Sequence, residues 1–379
     1  MNEYIKINSQ LLRKVRESLK LDYNKVSKHS KISIKELREI ESGRKPNLKE
    51  LSALAKVYNK SLATLLLYEL PKEKPLPKDR RTVNSEQIGI FDLKTIRIIE
   101  KARALADSFI RLRSELNLPI PKFTYTVSMS ENPNDIARQL RKEWRFDKLI
   151  EQSNIDLAFE GFIEIIEELG VSVFQLPLTK DNLRGFSITD EELPIIVIKR
   201  GGEPTTAKIF TLFHEVGHLI LNESGICDIG LNNQQQIEKW CNAFASEILV
   251  PSDEFLTNNI VLKYKNAGNF VWSKNDLIDV GKKFFVGPLV ILRKLLDHKL
   301  TTKPYYEAKL NDWNKPFFGR AKEPKGREVA KEIVKERGKT FIGLAFSAYE
   351  QNKINLKELS DYLGAKLTYI PQIRQHLYG

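Results

Sequence analysis

The sequence is poor in the features that mark secreted and membrane proteins. Only two cysteines occur in 379 residues, too few for a disulfide framework. No apolar run approaches the roughly 18 residues needed to span a bilayer. The first residues also lack the apolar segment of a secretion signal. These absences predict a cytoplasmic protein that does not use a membrane as a partner.

Positive charge, by contrast, is abundant and unevenly distributed. The net charge is +12, and residues 1–70 contain fifteen Lys/Arg against eight Asp/Glu. A basic excess concentrated at one end of a chain indicates a polyanionic partner for that end. Residues 1–70 are therefore the candidate DNA-binding region.

Histidine is scarce, yet two of the five histidines fall in the apolar segment 213–221, in the pattern His-Glu-x-x-His. On a helix, His214 and His218 share one face and can bind one metal ion, for which zinc is well suited. Glu215 is rotated by about 100°, so it can accept a proton from the attacking water. The pattern also arises by accident, but burying these three side chains without an ion would be costly.

A catalytic zinc site needs a third protein ligand, and a second helix predicted over residues 236–250 offers candidates. Glu238 and Glu247 lie nine residues apart, on opposite sides of its apolar stripe, and periodicity does not choose between them. Cys227 and Cys241 compete, because thiolates bind zinc well. Cys241 lies on the apolar stripe, where a core role is the simpler interpretation.

These motifs resemble the ImmA/IrrE family of zinc metallopeptidases. The matching residues are His214-Glu215-x-Gly217-His218, followed by Glu238-x-x-x-Asn242-x-Phe244-Ala245-x-x-x-Leu249-x-Pro251. The resemblance implies that His214, His218 and Glu238 bind Zn²⁺ and that Glu215 is the catalytic base. Asn242 would then orient Glu238 or the metal helix. It further implies a zincin-like fold and a narrow substrate, typically a transcriptional repressor.

The N-terminal region reads as five short helices, over residues 10–20, 23–29, 33–42, 48–58 and 62–68. Turn signals stand at Lys31, Gly43 and Asn59, Ser33 is a plausible N-cap, and Pro46 bars the third helix from continuing.

Residues 26–51 resemble the helix-turn-helix of the Xre/Cro class of repressors. The hallmarks are Ile32-Ser33, Ile40-Glu41-Ser42-Gly43, Pro46 and Leu51-x-x-Leu54-Ala55, with departures at Ser27 and Lys31. The resemblance implies that residues 33–42 are the recognition helix. The side chains nearest base edges would be Ser33, Lys35, Glu36 and Arg38, and those meeting phosphates would be Lys28, Arg44 and Lys45. The alternative is a basic surface on a bundle that docks proteins.

The rest of the chain reads as a linker, a mixed domain and a helical end. Residues 71–81 are too rich in proline and charge to pack. A long helix over 88–116 could dock on the next domain or pair with a second copy in a homodimer. Strands are predicted at 171–176 and 193–198, and residues 185–188 could form an edge that accepts an extended peptide. Helices are predicted at 275–298, 327–337 and 341–352, a loop at 303–326, and half of a second helix-turn-helix at 354–364.

The predicted fold class is α+β, with an all-α helix-turn-helix bundle, a linker, a zincin-like metallopeptidase domain with a small sheet, and a helical C-terminal region. The predicted boundaries are 1–70, 71–130, 131–300 and 301–379.

The predicted function is a zinc-dependent endopeptidase fused to a DNA-binding module, with a repressor or similar regulatory protein as substrate. The alternative is a transcription regulator or antitoxin-like protein whose zinc domain is a sensor or scaffold. A structural zinc has no need of Glu215, which favours the enzyme.

Overall fold

The computed structural model describes residues 4–19, 21–67, 69, 93–146, 154–178, 183–189, 192–222, 231–313 and 328–378. The predicted linker at 71–81 and Cys227 lie outside these residues. The chain divides into two compact units, Met1–Lys101 and Ala102–Gly379, and the division falls within one long helix.

The first unit is a bundle of short helices around one apolar core. Its helices are α1 (Ser9–Ser18), α2 (Tyr23–Ser30), α3 (Ile34–Glu41), α4 (Leu48–Tyr58) and α5 (Leu62–Leu65). All five helices predicted from the sequence are present, although α1 and α5 end earlier than expected. The core consists of buried aliphatic side chains on these helices, among them Leu12, Val15, Val26, Ile40 and Leu51.

Local signals in the sequence explain where these helices begin and end. Ser33 caps α3 and Asn47 caps α4, each in a capping box with the glutamate three residues later. Lys31 and Asn59 follow α2 and α4 with φ of 61° and 52°, the left-handed conformation that ends many helices. The predicted turns at these two positions are therefore confirmed.

The second unit contains a small mixed sheet next to several helices. Helices α6 (Leu93–Glu115), α7 (Pro133–Glu143) and α8 (Ile155–Glu168) precede strands β1 (Ser172–Leu176), β2 (Gly185–Ile188) and β3 (Ile195–Lys199). The strand order is β1-β3-β2, with β3 parallel to β1 and antiparallel to β2. Among the described strands, β2 therefore forms an edge, as the sequence predicted.

Two long helices follow the sheet and carry the residues predicted from the sequence to bind a metal ion. They are α9 (Thr205–Ile220) and α10 (Leu231–Leu249), which pack against each other, and α9 also packs on β2 and β3. Phe213 on α9 makes edge-on contacts with Phe146 and Phe162, which fixes the helix in the main core.

Nine further α-helices complete the second unit among the described residues: α11 (Ser252–Leu256), α12 (Asn259–Asn266), α13 (Lys274–Lys283), α14 (Pro288–Asp297), α15 (Lys303–Trp313), α16 (Val329–Arg337), α17 (Lys339–Glu350), α18 (Leu356–Leu363) and α19 (Ile370–Tyr378). The predicted break at Gly287-Pro288 separates α13 from α14. None of the described helices is long and apolar enough to cross a membrane.

The expectation of a loop over 303–326 is wrong for its first part, because residues 303–313 form α15; residues 314–326 lie outside the described residues. No residue of α15 is fully buried. The helix therefore lacks the apolar stripe from which periodicity identifies helices.

Candidate metal centre

Helix α9 brings the two motif histidines together on one face. The nitrogen atoms Nε2 of His214 and His218 are 3.2 Å apart. The side chain of His218 is 4% exposed and that of His214 is 17% exposed. The pair therefore faces a site that is mostly enclosed but open to solvent on the His214 side.

Helix α10 directs Glu238 at the same point. Its Oε2 lies 3.2 Å from His214 Nε2, and its Oε1 lies 3.4 Å from His218 Nε2. This trio is the only group of metal-binding side chains found among the described residues, with ligand atoms all within 4.8 Å of one another.

The spacing of these atoms can be compared with what zinc requires. With bonds of about 2.0–2.1 Å and tetrahedral angles, two ligand atoms of one zinc ion should be about 3.3 Å apart. The two imidazole nitrogens are 3.2 Å apart, and each lies close to a different oxygen of Glu238, at 3.2 and 3.4 Å, so these separations are near that value. Two imidazole nitrogens and one carboxylate oxygen are also a donor set that zinc favours.

A close helix crossing makes this convergence feasible. A Cβ atom added to Gly217 would lie 3.2 Å from the Cα and 3.3 Å from the Sγ of Cys241. The two helices can approach this closely because Gly217 has no side chain. Cys241 is fully buried at the crossing, which agrees with a core role.

Asn242 is close to the metal helix. Nδ1 of His214 and Oδ1 of Asn242 are 3.1 Å apart, so the imidazole donates and the amide oxygen accepts. This hydrogen bond fixes the ring so that Nε2 faces Glu238 and His218. From the sequence we expected Asn242 to orient either Glu238 or the helix that carries the histidines. Its contact with His214 fits the second role.

The electrostatics of the trio favour a bound cation. Burial opposes ionisation of Glu238, but hydrogen bonds with both imidazoles hold the pKa of its carboxyl well below the usual range. Burial likewise disfavours protonation of His214, but the nearby carboxylates of Glu238 and Glu215 raise its pKa overall. A divalent ion among these side chains would take the place of the proton shared by the imidazoles and the carboxylate.

Glu215 lies beside the start of the edge strand β2. A Cβ atom added to Gly185 at the start of β2 would be 3.5 Å from Oε1 of Glu215 and 2.5 Å from Cγ2 of Thr211. Gly185 therefore lets the edge strand approach α9 closely. The sequence predicted an edge at Gly185, but not its proximity to Glu215.

Glu247, the rival of Glu238, points elsewhere. Its carboxylate is 0% exposed, forms an ion pair with Lys294 on α14, and accepts hydrogen bonds from the backbone and hydroxyl of Ser252. Arg138 Nη1 lies 3.5 Å away. Glu247 thus belongs to a buried ion pair between helices, away from the two histidines.

The residues predicted to contact DNA differ in whether their side chains already have partners within the helix bundle. Lys28, Lys35 and Lys45 are exposed. Ser33 and Glu36 are exposed but bonded to each other in the capping box, and the Ser33 hydrogen bonds lower the pKa of Glu36. These two residues thus stabilise the start of α3.

Two arginines of the predicted DNA surface also have contacts within the bundle. Arg38 is exposed, and its guanidinium carbon lies 5.3 Å from the centre of the Tyr23 ring. Arg44 Nη2 is 2.7 Å from Oε1 of Glu50, so this guanidinium is partly neutralised.

Comparisons with known proteins agree with the two motif regions. Residues 12–65 match the family model described as helix-turn-helix. Residues 166–267, which contain the whole His214, His218 and Glu238 trio, match the peptidase M78 family model, described as the IrrE N-terminal-like domain. No curated protein matches the chain. The chain is thus a fusion of a helix-turn-helix domain of the Xre type with an IrrE-like domain of peptidase family M78.

Proposed function

We propose that the chain is a zinc-dependent endopeptidase that cleaves a transcriptional repressor or a similar regulatory protein in the cytoplasm. The triangle formed by His214, His218 and Glu238 is the observation that carries the proposal. The two Nε2 atoms are 3.2 Å apart, and the carboxylate presents one oxygen to each of them, at 3.2 and 3.4 Å, which suits one zinc ion beside the partly exposed His214.

His214, His218 and Glu238 would hold the ion, and Asn242 would keep the His214 ring in the required orientation. When bound, zinc supplies Lewis acidity that polarises a peptide carbonyl and makes water a better proton donor. Oε1 of Glu215 accepts the proton of the attacking water and passes it to the nitrogen of the leaving amine. Glu215 is 6% exposed, so this proton is shielded from bulk solvent.

The outer edge of β2 is the proposed place for the substrate backbone. β2 pairs with β3 on one side only among the described strands. An extended peptide can add to such an edge by backbone hydrogen bonds. Because Gly185 at the start of β2 lies next to Glu215, a peptide on this edge would pass the proposed base.

Glu215→Gln tests the proposal. We expect the variant to retain one zinc per chain, because the three proposed ligands are unchanged, and to lose proteolysis of a complex peptide mixture. New peptide termini are counted by mass spectrometry, and zinc by elemental analysis. The exposed Glu164→Gln on α8 is the control and should retain activity. Equal numbers of new termini from the zinc-loaded Glu215→Gln and original proteins would refute the role of Glu215.

The same variant separates this function from the alternative, a DNA-binding regulator whose zinc domain is a sensor or scaffold. The basic excess in residues 1–70 and the helix-turn-helix match support the alternative. If Glu215→Gln retains the full effect on gene expression in cells, the regulator interpretation holds and the endopeptidase proposal fails.

A further inference from the structure

A groove of about 820 Å³ runs beside the candidate metal centre. Its walls come from α9, α10, α14 and α15. A volume of this size falls in the range of sites that bind small molecules or several side chains.

The groove borders the trio, although His214, His218 and Glu238 are not among its lining residues. Phe210, which lines it, precedes His214 by one helical turn on the same face of α9. Asn242 also lines it, follows Glu238 by one turn of α10, and is hydrogen-bonded to His214. A molecule in the groove would thus lie next to the proposed ligands.

The lining of the groove is suited to an apolar occupant. The groove is deep between α9 and α10 because the lining residues there are small: Ala207, Ala243 and Ser246. The surrounding surface is aromatic and aliphatic, with Phe210, Leu289, Val290, Tyr306 and Trp313.

Charged side chains at the groove largely neutralise one another. Arg293 and Asp297 are paired at 3.0 Å, and Arg184 lies 3.8 Å from Glu203. Two lysines and Asp312 complete the charged lining. Because charges of both signs line the groove, a charged side chain would gain little net attraction there. The apolar surface of the groove therefore determines which type of side chain binds.

The edge strand indicates which part of a substrate would enter. If a peptide adds antiparallel to β2, its C-terminal direction points towards the start of β2. That start is Gly185, next to Glu215, and the preceding residue, Arg184, lines the groove. The peptide would therefore pass Glu215 first and enter the groove with the residues that follow the cleaved bond.

We propose that this groove binds the side chain immediately C-terminal to the cleaved bond and selects a large apolar or aromatic residue there. The inference rests on the proposed peptidase function, but the groove itself can be tested without catalysis.

Binding can be followed by tryptophan fluorescence. Of the four tryptophans, Trp144, Trp240 and Trp272 are buried, whereas Trp313 is half-buried and lines the groove. The zinc-loaded Glu215→Gln protein is titrated with N-acetylphenylalaninamide, N-acetylleucinamide, N-acetylalaninamide and N-acetyllysinamide. We expect saturable changes with the first two and much weaker ones with the others.

Two variants test whether that signal comes from the groove. Ala243→Phe fills the space between the helices and should weaken binding of the phenylalanine probe about tenfold or more, since the apolar contact of one large side chain is lost. Leu289→Ser, at the half-exposed start of α14, should weaken it several-fold without filling the groove. The control Ala308→Phe lies on α15, is exposed and does not line the groove. Absence of binding, or equal binding by all three variants, would overturn the proposal.

Cleavage then tests the position of the subsite. A peptide mixture is digested with the zinc-loaded protein, and residues on the C-terminal side of each cut are counted. Enrichment of Phe, Tyr, Trp, Leu and Met there, shifting to small residues in Ala243→Phe, supports the proposal. If the protein cuts before residues of all classes, and the Ala243→Phe variant shows the same distribution of cuts, the proposal is overturned. Probe binding without cleavage by the zinc-loaded protein overturns the peptidase function and the subsite assignment but not the groove as a binding site.

Discussion

At the residue scale, the two carboxylates on α10 have different environments. Glu238 faces two imidazoles and solvent, whereas Glu247 is fully buried against the ammonium group of Lys294. A buried carboxylate with its own fixed cation has little capacity left for a metal ion.

Replacing each glutamate in turn should separate metal binding from stability. We expect Glu238→Ala to lower the zinc content strongly, since one of three ligands is lost. Glu247→Gln should keep one zinc per folded chain but lower the free energy of unfolding by about 3–5 kcal/mol, because Lys294 loses its buried partner. Elemental analysis and denaturant unfolding measure the two effects. Normal zinc content in Glu238→Ala would exclude Glu238 as a necessary ligand.

Glu167 on α8 should make stability depend on pH. Burial raises the pKa of this carboxyl to about 8, although hydrogen bonds from Thr340 and Val173 oppose the shift. Well below pH 4.5, Glu167 is protonated in both the folded and the unfolded states. As pH rises towards 8, the unfolded state loses its proton first, so stability falls by up to about 1.4 kcal/mol per pH unit and levels off above that.

Glu167→Gln removes this titration while keeping an acceptor for Thr340. We expect the difference in unfolding free energy between the variant and the original protein to grow in favour of the variant from pH 5 to pH 8. Denaturant titrations at several pH values measure it. The neighbouring, exposed Glu168→Gln should retain the original profile. Parallel profiles for Glu167→Gln and the original protein would contradict a raised pKa.

At the element scale, the crossing of α9 and α10 determines how close Glu238 comes to the histidines. Gly217 contacts the backbone of Cys241, where a Cβ atom would be 3.2 Å from Cα. The main-chain atom of a buried helix moves less readily than a side-chain end, so an added methyl group must push the helices apart.

Gly217→Ala should therefore weaken zinc binding although it changes no proposed ligand. We expect a loss of about 1–3 kcal/mol in stability from overpacking and a measurable rise in the zinc dissociation constant. Gly343→Ala on α17 is the matched control, because a Cβ there meets nothing within 4 Å. The control should stabilise the protein by about 0.4–1 kcal/mol. Identical effects of the two substitutions would contradict a tight crossing.

At the scale of the whole molecule, charge and chemistry occupy different parts of the chain. The helix-turn-helix match covers residues 12–65, within the basic region, while the metal trio lies in the peptidase-family match at 166–267. One chain would thus combine affinity for DNA with proteolysis, and DNA binding could raise the local concentration of a repressor bound nearby.

The DNA-reading surface can be tested with one arginine and a matched control. On a site selected from random DNA, Arg38→Ala should weaken binding by about 1–3 kcal/mol if this side chain reads a base edge. Arg13→Ala removes the same charge from α1, where Arg13 already pairs with Glu17, and should have a smaller effect. Gel-shift titrations at fixed salt measure both. An unchanged affinity for Arg38→Ala would refute its role.

Severing the chain within 71–81 tests the link between the two functions. A site for a specific protease is introduced there, and repressor cleavage is followed before and after the cut. We expect slower cleavage of repressor bound beside the DNA site and an unchanged rate for free repressor, because tethering changes only effective concentration. Equal rates in both cases would show that DNA binding does not deliver the peptidase.

The sequence by itself determined the local features of this protein. Capping residues such as Ser33 and left-handed positions such as Lys31 mark helix ends, because their chemistry acts within a few residues. The break at Gly287-Pro288 and the edge strand at 185–188 were likewise predicted from local patterns. The pattern His-Glu-x-x-His could be located without tertiary information, since its geometry lies within one helical turn.

Only the tertiary structure decided which distant side chains meet. Periodicity placed Glu238 and Glu247 on opposite sides of α10, but it could not say which side faces α9, because that depends on helix packing. The helix at 303–313 was missed since its half-buried aromatics form no apolar stripe. The groove beside the trio was also invisible in the sequence, because its walls come from four helices that are brought together only by folding.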